Sequence, residues 1–477
     1  MQKGTILENI KIEKLIFGWK ALWFAPDGKK IIISGWVIPG SVINLRILKN
    51  RKNYYEGQML DEVQKSPLEQ KLPDHFQVYG GCKWLPINHD VQLEIKQEQV
   101  REAFNHLKEH VTDAVFHPIV ASPEIYGYRN KVEFSWGKYI SDREWVHDEF
   151  RFWFHKQGEF DRIIDCTFCV LADDEINEIF KKVDKFSRES GLPTYDPKRQ
   201  EWFWRHFVVR KSKHVSEIMI IFSVNDAYLA SKWSGIIEKF SKDLKWFTDR
   251  LTKEHPNIKS IYYLKNNWKA DIVTWEFGLY FWVPTIRESI LGKTFEINPK
   301  SFFQTNSLGA EKLYQIAIEM AKKWKDEMKW ETMLDLYAGT GTLWIIFSPY
   351  FKKVYSVELV KEASEDGKRN AKLNWINNIE FVNAKVENFL KDFSEKKGNA
   401  DLLVIDPPRD GMHPDALPNI VNFDAKVMVY VSCNPSTLAR DLDYIVKNSQ
   451  YKITDVTPVD MFPHTHHIET VVRLEKF

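Results

Sequence analysis

The chain has 477 residues, of which 44% are hydrophobic, 28% charged and 14% aromatic, and this composition excludes collagen-like, low-complexity and disordered proteins. The length accommodates two to four domains of about 100–200 residues each. The net charge is +1, only four cysteines are present, and no apolar run approaches the roughly 20 residues of a membrane span. We therefore expect a cytoplasmic, monomeric protein without a membrane anchor, a secretion signal or a disulfide framework.

Residues 1–65 alternate apolar and polar residues in short runs separated by Gly and Pro, as in KIIISGWVIPGSVINLRILKN. Period-two runs of β-branched residues predict a small antiparallel β-barrel. Cations and tyrosines follow one another in its second half: Arg46, Lys49, Arg51, Lys52, Tyr54 and Tyr55. This basic strip is typical of an RNA-binding surface. It is equally typical of a solvent-exposed strand edge whose charges prevent aggregation.

Residues 66–300 mix strand-like and helical patterns without a clear repeat. The strand-like runs are 131–136, 218–223 and 261–264, and the helical stretches are 90–110 and 173–190. The pattern predicts a central α+β domain with insertions. We expect this domain to contact RNA if the chain binds RNA at all.

Residues 301–477 alternate short apolar runs with helical stretches, which predicts right-handed crossovers and a mostly parallel, doubly wound α/β sheet. The predicted strands are 332–337, 354–357, 379–382, 401–405, 426–431, 451–459 and 468–474. The predicted helices are 343–350, 361–374, 386–392, 415–421 and 436–447. The last two strands have no helix between them, so we expect an antiparallel edge.

The segment MLDLYAGTGTLW places a strand end at 335–337 before a turn that contains Gly339 and Gly341. Glycines let the backbone approach a ligand closely, and Glu358 ends the next strand, where an acid can bind two ribose hydroxyls. Trp344 stands where a dinucleotide fingerprint has its third glycine. The pattern therefore favours an adenosyl ligand without a pyrophosphate.

Two further motifs follow strands of the same sheet. Asp406 in LLVIDPPRDGM and Cys433 in VMVYVSCNPSTLARDL should both lie at the ligand-binding edge. Ser436 or Thr437 is expected to cap the helix after Cys433. A thiol before a helix N-terminus, with Arg440 one turn on, is expected to have a lowered pKa.

The segment MFPHTHHIETVV ends in a carboxylate at the start of an apolar strand. Burial of Glu469 there would raise its pKa toward that of a useful general base. His464, His466 and His467 precede it, but no second histidine-rich tract supports a metal site, so we expect none.

The motifs FFQTN, DLYAGTG, DPPRDG, YVSCNPSTLARDL and FPHTHHIETV together resemble the RNA 5-methyluridine methyltransferases, which use S-adenosylmethionine. The resemblance covers residues 300–477 strongly. YRNKVEFSW resembles a segment of the family's central domain, and residues 1–60 look like the RNA-binding TRAM barrel of some members. Residues 185–290 match nothing.

The resemblance implies a role for each matching residue. Those implied to bind S-adenosylmethionine are Gln304, Tyr337, Gly339, Glu358 and Asp406. Cys433 is implied to add to C6 of uracil as the nucleophile, and Glu469 to remove the C5 proton as the base. The resemblance also implies that the partner is a structured RNA, and the residues do not separate ribosomal from transfer RNA.

The chain departs from family members that hold an iron–sulfur cluster on four cysteines. In LPDHFQVYGGCKW only Cys82 remains of a C-x5-C-x2-C run, since Pro73 and Tyr79 occupy the other places. Cys169 matches the fourth ligand, and two cysteines cannot hold a four-thiolate cluster. We expect no cluster, although Cys166 and Cys169 form a CxxC pair that leaves a smaller site with Cys82 open.

Two alternatives remain at this point. One is an RNA 5-methylcytosine methyltransferase, which also uses a cysteine adduct but relies on differently placed cysteines. The other is a catalytically silent RNA-binding or RNA-folding protein on the same scaffold.

Overall fold

The computed structural model describes residues 1–35, 37–73, 79–139, 149–156, 159–163, 168–196, 201–230, 234–267, 276–323, 330–396 and 398–477. The strands in these ranges are β1 (Ile6–Lys11), β2 (Lys14–Ile16), β3 (Lys20–Phe24), β4 (Lys30–Ser34), β5 (Val42–Asn50), β6 (Tyr54–Gln64), β7 (Val115–Phe116), β8 (Lys131–Tyr139), β9 (Glu149–Trp153), β10 (His155–Lys156), β11 (Glu159–Ile163), β12 (Trp204–Lys211), β13 (Ile218–Val224), β14 (Ile258–Lys265), β15 (Glu276–Trp282), β16 (Ile286–Ile290), β17 (Lys293–Ile297), β18 (Trp330–Leu336), β19 (Phe351–Val357), β20 (Ile379–Val382), β21 (Ala400–Ile405), β22 (Ala425–Ser432), β23 (Tyr451–Val459) and β24 (Glu469–Lys476).

The helices in the same ranges are α1 (His89–Ala103), α2 (Asp174–Glu189), α3 (Asp226–Ala230), α4 (Ser234–Glu254), α5 (Ser307–Lys322), α6 (Thr342–Phe347), α7 (Lys361–Leu373), α8 (Val386–Lys396), α9 (Leu417–Asn422) and α10 (Pro435–Asn448). Two 3-10 segments, Phe104–His110 and Ser348–Tyr350, extend α1 and α6. None of the described helices is both long and apolar enough to cross a bilayer.

The first six strands curl around one core in the order β1-β5-β6-β4-β3-β2. The period-two pattern of β5 explains this, because Ile43, Leu45 and Ile47 all point inward and are fully buried. The small N-terminal barrel expected from the sequence is therefore present. One pair, β4 with β6, is parallel rather than antiparallel, which differs from the prediction.

A second sheet has the order β15-β14-β13-β12-β8-β9. All seven residues of β13 are buried, because α2 and α4 cover one face of the sheet and the C-terminal part of the chain covers the other. The strands predicted at 131–136, 218–223 and 261–264 correspond to β8, β13 and β14.

The C-terminal sheet has the order β20-β19-β18-β21-β22-β24-β23-β7. Its first five strands are parallel, and β24 is antiparallel to both of its neighbours. The doubly wound class predicted from the sequence is confirmed. The edge differs from the prediction, since β24 lies inside the sheet and β7, which comes from residues 115–116, forms the outermost strand beside β23.

Helix α1 joins the N-terminal barrel to the C-terminal sheet. Its Gln99 side chain donates a hydrogen bond to the Leu15 carbonyl of the barrel, 3.2 Å away. Glu102, one turn further on, forms an ion pair with Lys14. The next segment packs Phe104 and Leu107 into the core of the C-terminal sheet. The barrel is thereby held against the sheet that carries the candidate site.

Candidate active site

A cavity of about 880 Å³ opens at the carboxyl ends of the parallel strands β18, β19, β21 and β22. Ligands of doubly wound sheets bind at this edge, where the strand order reverses. The cavity is lined by all seven residues selected from the sequence: Gln304, Tyr337, Gly339, Glu358, Asp406, Cys433 and Glu469. The fold thus brings residues that are up to 165 positions apart, from Gln304 to Glu469, into one site.

The turn after β18 fixes the carboxylate of Glu358. The backbone N–H of Gly339 donates to Glu358 Oε2 at 2.8 Å, and that of Val360 donates to Oε1 at 2.7 Å. Gly339 has a φ of +55° and Tyr337 one of +63°, so the chain turns sharply here. The carboxylate is therefore held at the end of β19, and its remaining lone pairs can accept hydrogen bonds from the two hydroxyls of a diol.

Trp344 does not face the cavity, although the sequence argument used it to define the ligand. Its ring is fully buried beneath the turn, and a Cβ at Gly341 would overlap it. Gly341 has a φ of +91°, so both its conformation and the nearby indole require glycine. Trp344 consequently shapes the turn from below and does not contact the ligand space.

Three carboxylates share the inner end of the cavity. Burial raises the pKa of Asp406 to about 7. Burial, and then the nearby charge of Asp406, raise the pKa values of Asp335 and Glu469. The backbone of Trp344 interacts with the Asp335 carboxyl group, but no cation among the described residues pairs with any of the three carboxyl groups. Such a site suits a cationic ligand, because a positive charge would stabilise buried carboxylates that have no cationic partner.

Cys433 and Glu469 face each other across neighbouring strands. Ser432 of β22 pairs with Thr470 of β24, and Cys433 and Glu469 lie one residue beyond that pair on either strand. Cys433 is partly exposed to the cavity, whereas Glu469 is 5% exposed. A thiol and a carboxylate can therefore act on one substrate ring from adjacent positions.

The expected lowering of the Cys433 pKa is wrong. Burial, and then the charges of Glu469 and Asp406, raise this pKa to about 11, and Arg409 opposes them with a smaller effect. Arg440 does not assist, because its guanidinium pairs with Asp441 at 2.7 Å.

The cap of the following helix also differs from the prediction. Asn434, rather than Ser436 or Thr437, caps α10, and its side chain accepts from the Ser436 N–H at 3.1 Å.

The histidines of the last loop are neutral side chains. Burial lowers the pKa of His464 to about 3, that of His466 to about 4 and that of His467 to about 3. No group of three or more potential metal ligands occurs among the residues that the structure describes. The lack of a resident metal stays a prediction from the sequence.

Comparison with known proteins adds independent evidence. The family described as tRNA (uracil-5-)-methyltransferase matches residues 288–477. A protein named an uncharacterized RNA methyltransferase from Caldanaerobacter subterraneus subsp. tengcongensis is 34% identical over 100% of both chains. One from Clostridium tetani is 34% identical over 100% of this chain and 99% of its own.

A solved structure is similar over almost the whole length. The tRNA (uracil-54, C5)-methyltransferase of Pyrococcus abyssi, in complex with S-adenosyl-L-homocysteine, has a TM-score of 0.72 at 26% identity and covers 98% of this chain and 100% of its own. The chain belongs to the family of uracil-C5 RNA methyltransferases. It is an enzyme that uses S-adenosylmethionine and acts on RNA, and the match favours uracil over the 5-methylcytosine alternative.

The cavity fits the cofactor of the uracil-C5 methyltransferases. S-Adenosylmethionine carries a sulfonium, an ammonium and a ribose diol, and the cavity offers buried carboxyl groups without a cationic partner among the described residues, together with the fixed carboxylate of Glu358. Tyr337 adds a buried hydroxyl that interacts with the backbone of His413, and burial raises its pKa to about 12. This hydroxyl stays a donor at neutral pH.

At one of the positions where the resemblance implies a cluster ligand, this chain has the buried ring of Tyr79. The Tyr79 hydroxyl lies 2.8 Å from the Cys169 sulfur, and its ring stacks on Phe154 with centroids 4.3 Å apart. Burial raises the pKa of the Cys82 thiol to about 12 and raises that of Cys169 as well. Cluster ligands are thiolates, so these thiols are unsuited to the role. Cys166 lies outside the described residues.

The basic strip on the barrel is smaller than the sequence suggested. Tyr55 is 2% exposed and its hydroxyl donates to Asp27 at 2.6 Å, so it belongs to the core. Arg51 forms an ion pair with Glu56 at 2.8 Å. Lys49 pairs with the same carboxylate at 3.5 Å, which leaves Arg46 and Lys52 as the exposed cations of this strip without an ion pair among the described residues.

Among the cavity residues that the sequence did not indicate are Asp335, Tyr314 and Phe302. Asp335 stood within a quoted motif, but its burial could not be deduced. Tyr314 comes from α5, a helix that the analysis did not predict. Phe302 belongs to the FFQTN motif and is 71% exposed at the cavity rim, where an aromatic ring can stack on a base. Its place in that motif was a usable signal.

Proposed function

We propose that this enzyme methylates C5 of a uridine in a structured transfer or ribosomal RNA through a covalent bond between Cys433 and C6. The observation that carries the proposal is the opposition of Cys433 and Glu469 in the cavity that also holds Asp406 and Glu358. When bound, S-adenosylmethionine supplies the methyl group. The target base must leave its stack to reach this depth.

The two residues divide the chemistry. C5 of uracil is a weak nucleophile, so the Cys433 thiolate first adds to C6 and creates an enolate whose C5 accepts the methyl group. Glu469 then removes the C5 proton, the C5–C6 double bond re-forms and the thiolate leaves. Both groups must be ionised for this. The Cys433 thiol must therefore lose its proton before the addition. A cationic ligand near Cys433, Asp406 and Glu469 would lower the pKa values of all three groups and favour both the thiolate and the ionised base.

The proposal extends to the organisation of the chain. Residues 1–65 would be a TRAM-like RNA-binding barrel, residues 66–300 a central domain that contacts RNA, and residues 301–477 the catalytic domain. Gln304, Tyr337, Gly339, Glu358 and Asp406 would bind the cofactor. We further propose a cytoplasmic monomer, and the identity of the RNA is to be found by mapping 5-methyluridine in cells with and without the gene.

Two variants test the roles separately. Cys433→Ala should abolish methylation and any covalent adduct, because no other group starts the addition. Glu469→Gln should permit addition and methyl transfer but not proton removal, so that a methylated protein–RNA complex survives denaturing electrophoresis. Cys82→Ala and Glu475→Gln are the matched controls, since they make the same chemical changes away from the cavity.

The opposite results would overturn the assignment. An adduct formed by Cys433→Ala would show that another residue is the nucleophile. Normal turnover by Glu469→Gln would pass the base role to another group, with His467 as the next candidate. RNA binding without any methyl transfer by the wild-type protein would favour the silent RNA-binding alternative.

A further inference from the structure

The loop of residues 460–468 connects β23 to β24 and leads directly into Glu469. Phe462 and Glu469 line the cavity, so one side of this loop forms part of the active-site wall. His464 has a φ of +63°, a left-handed conformation that a residue with a side chain adopts only where its surroundings hold it. The loop therefore depends on contacts from outside the cavity.

Those contacts come first from a buried lysine on α1. Lys96 Nζ donates to Asp460 Oδ1 at 2.6 Å and to the Phe462 carbonyl at 3.1 Å. The side chains of Lys96 and Asp460 are both 0% exposed. His89, two turns earlier on the same helix, lies with Nε2 2.8 Å from the other oxygen of Asp460. Helix α1 thus holds the beginning of the loop through two of its own residues, His89 and Lys96.

A glutamine one turn before the lysine holds the middle of the loop. Gln92 Nε2 donates to His464 Nδ1 at 3.0 Å, and its Oε1 accepts from the His464 N–H at 2.8 Å. The same amide donates to the carbonyls of Trp84 and Ile87. The Tyr128 hydroxyl donates to the Pro463 carbonyl at 2.9 Å. Each residue from 462 to 464 is therefore held by a hydrogen bond with Lys96, Tyr128 or Gln92.

Stability alone does not explain a fully buried ion pair at this place. Replacing such a pair with apolar side chains of similar volume is often neutral or stabilising, because the desolvation of two charges offsets their attraction. What the pair provides here is a fixed distance between α1 and the loop. A general base must lie within about 2.6–3.2 Å of the group whose proton it takes, so the position of the loop bears directly on Glu469.

We propose that Gln92 and Lys96 are positioning residues that hold the loop 460–468 so that the Glu469 carboxylate reaches the C5 proton of the bound uridine. The inference rests on the proposed function, because it takes Glu469 as the base. The cofactor-binding residues lie on other elements, with Glu358 after β19 and Asp406 after β21. Disturbing the network should therefore impair the last proton transfer and leave cofactor binding intact.

Two variants carry the test. Gln92→Met removes the amide without changing any charge. Lys96→Met combined with Asp460→Asn removes both buried charges together, which avoids an unpaired buried carboxylate and the unfolding that it would cause. Lys14→Met is the matched control, because it breaks an ion pair between the barrel and the same helix at a partly exposed position.

The measurements are kcat, the affinity for S-adenosylmethionine by calorimetry, and the amount of methylated protein–RNA complex on denaturing gels. Both test variants should lose about 10- to 100-fold in kcat, since displacement by about 1 Å has an effect of this size. They should accumulate the methylated complex as Glu469→Gln does, with unaltered cofactor affinity. The control should match the wild-type protein in all three.

Two results would overturn the inference. One is wild-type turnover by both test variants. The other is a loss of turnover without accumulation of the methylated complex, since this would mean a general role in folding. A failure of the proposed function looks different, because the wild-type protein would then form neither 5-methyluridine nor an adduct, and both ideas would fall together.

Discussion

The buried carboxyl groups of Asp335, Asp406 and Glu469 destabilise the ligand-free fold at neutral pH. None of the three forms an ion pair with a residue that the structure describes, and the pKa of each is raised by burial. Buried carboxylates without partners destabilise a folded protein at neutral pH. A cation in the cavity reverses this effect, so we expect the cofactor to stabilise the protein strongly.

Asp406→Asn should stabilise the ligand-free protein at about pH 8 while it weakens cofactor binding. The pKa of Asp406 is raised from 3.8 to about 7, so the folded state binds this proton more tightly than the unfolded chain. That stabilisation is fully present below the unfolded pKa and is lost as the pH rises through about 7. The variant should gain about 2–4 kcal/mol in free energy of unfolding at about pH 8.

Denaturant unfolding of both proteins across this pH range measures the effect. The gain should shrink as the pH is lowered toward about 5, where the wild-type protein holds the proton. Asp410→Asn, on the exposed loop nearby, is the control and should show no such dependence. A gain that is equal at every pH would mean that Asp406 is not the titrating group.

Glu358→Ala should weaken S-adenosylmethionine binding by about 1–3 kcal/mol, because charge-assisted hydrogen bonds to the ribose would be lost. Glu358→Gln keeps one acceptor oxygen and should lose less. Glu362→Ala, in the first turn of α7, is the control. Calorimetry that finds the same cofactor affinity in Glu358→Ala and the wild-type protein would remove Glu358 from the site.

At the level of elements, strands with long apolar side chains could be predicted and contacts between distant segments could not. The predicted run 379–382 is β20 itself, and 451–459 is β23. Helix α5 was not predicted, because small residues such as Gly309, Ala310 and Ala317 form much of its buried face. Strand β7 has only two residues and exists through its pairing with β23.

The same limit explains the errors at the site. That Asp406 and Cys433 lie at one edge follows from the rule for parallel sheets, which applies to any strand end. The pKa of Cys433 depends instead on its burial and then on Glu469, which is 36 residues away in the sequence and adjacent in space. Tyr55 was assigned to a surface strip because its partner Asp27 is on another part of the barrel.

The segment around Tyr79 leads to a prediction about iron. The purified protein should be colourless and contain no stoichiometric iron, because the ring of Tyr79 packs against Phe154 and edge-on against Trp153 where a cluster would need space. Metal analysis and visible absorption after anaerobic purification check this. Several iron atoms per chain would contradict it and would direct attention to Cys82, Cys169 and Cys166.

For the whole molecule, the barrel and the catalytic sheet act as parts of one folded body. Trp84 and Ile87, which follow the barrel in sequence, complete its core, so a truncated chain without the barrel would expose apolar surface. If residues 1–60 were deleted, a loss of RNA affinity could result either from the loss of an RNA-binding surface or from misfolding. Charge substitutions on the barrel surface test its role without this complication.

Arg46→Gln combined with Lys52→Gln should lower RNA affinity and make it less dependent on salt. For each phosphate that a removed cation had neutralised, the slope of log affinity against log salt should fall by about 0.7–0.9. Lys242→Gln, on the exposed side of α4, is the control with the same chemical change at a single position. Binding titrations at several salt concentrations measure the slope, and an unchanged slope would leave the barrel surface with a structural role only.

The internal position of β24 has a consequence for the synthesis of the protein. A ribosome makes residues 469–476 after all the other strands of the C-terminal sheet, yet β24 lies between β22 and β23. Until it emerges, β22 presents an unpaired, apolar edge of the kind that aggregates, and Cys433 has no carboxylate opposite it. We therefore expect the nascent chain to be vulnerable to aggregation until β24 has been translated and inserted and, on the proposed function, to be inactive until then.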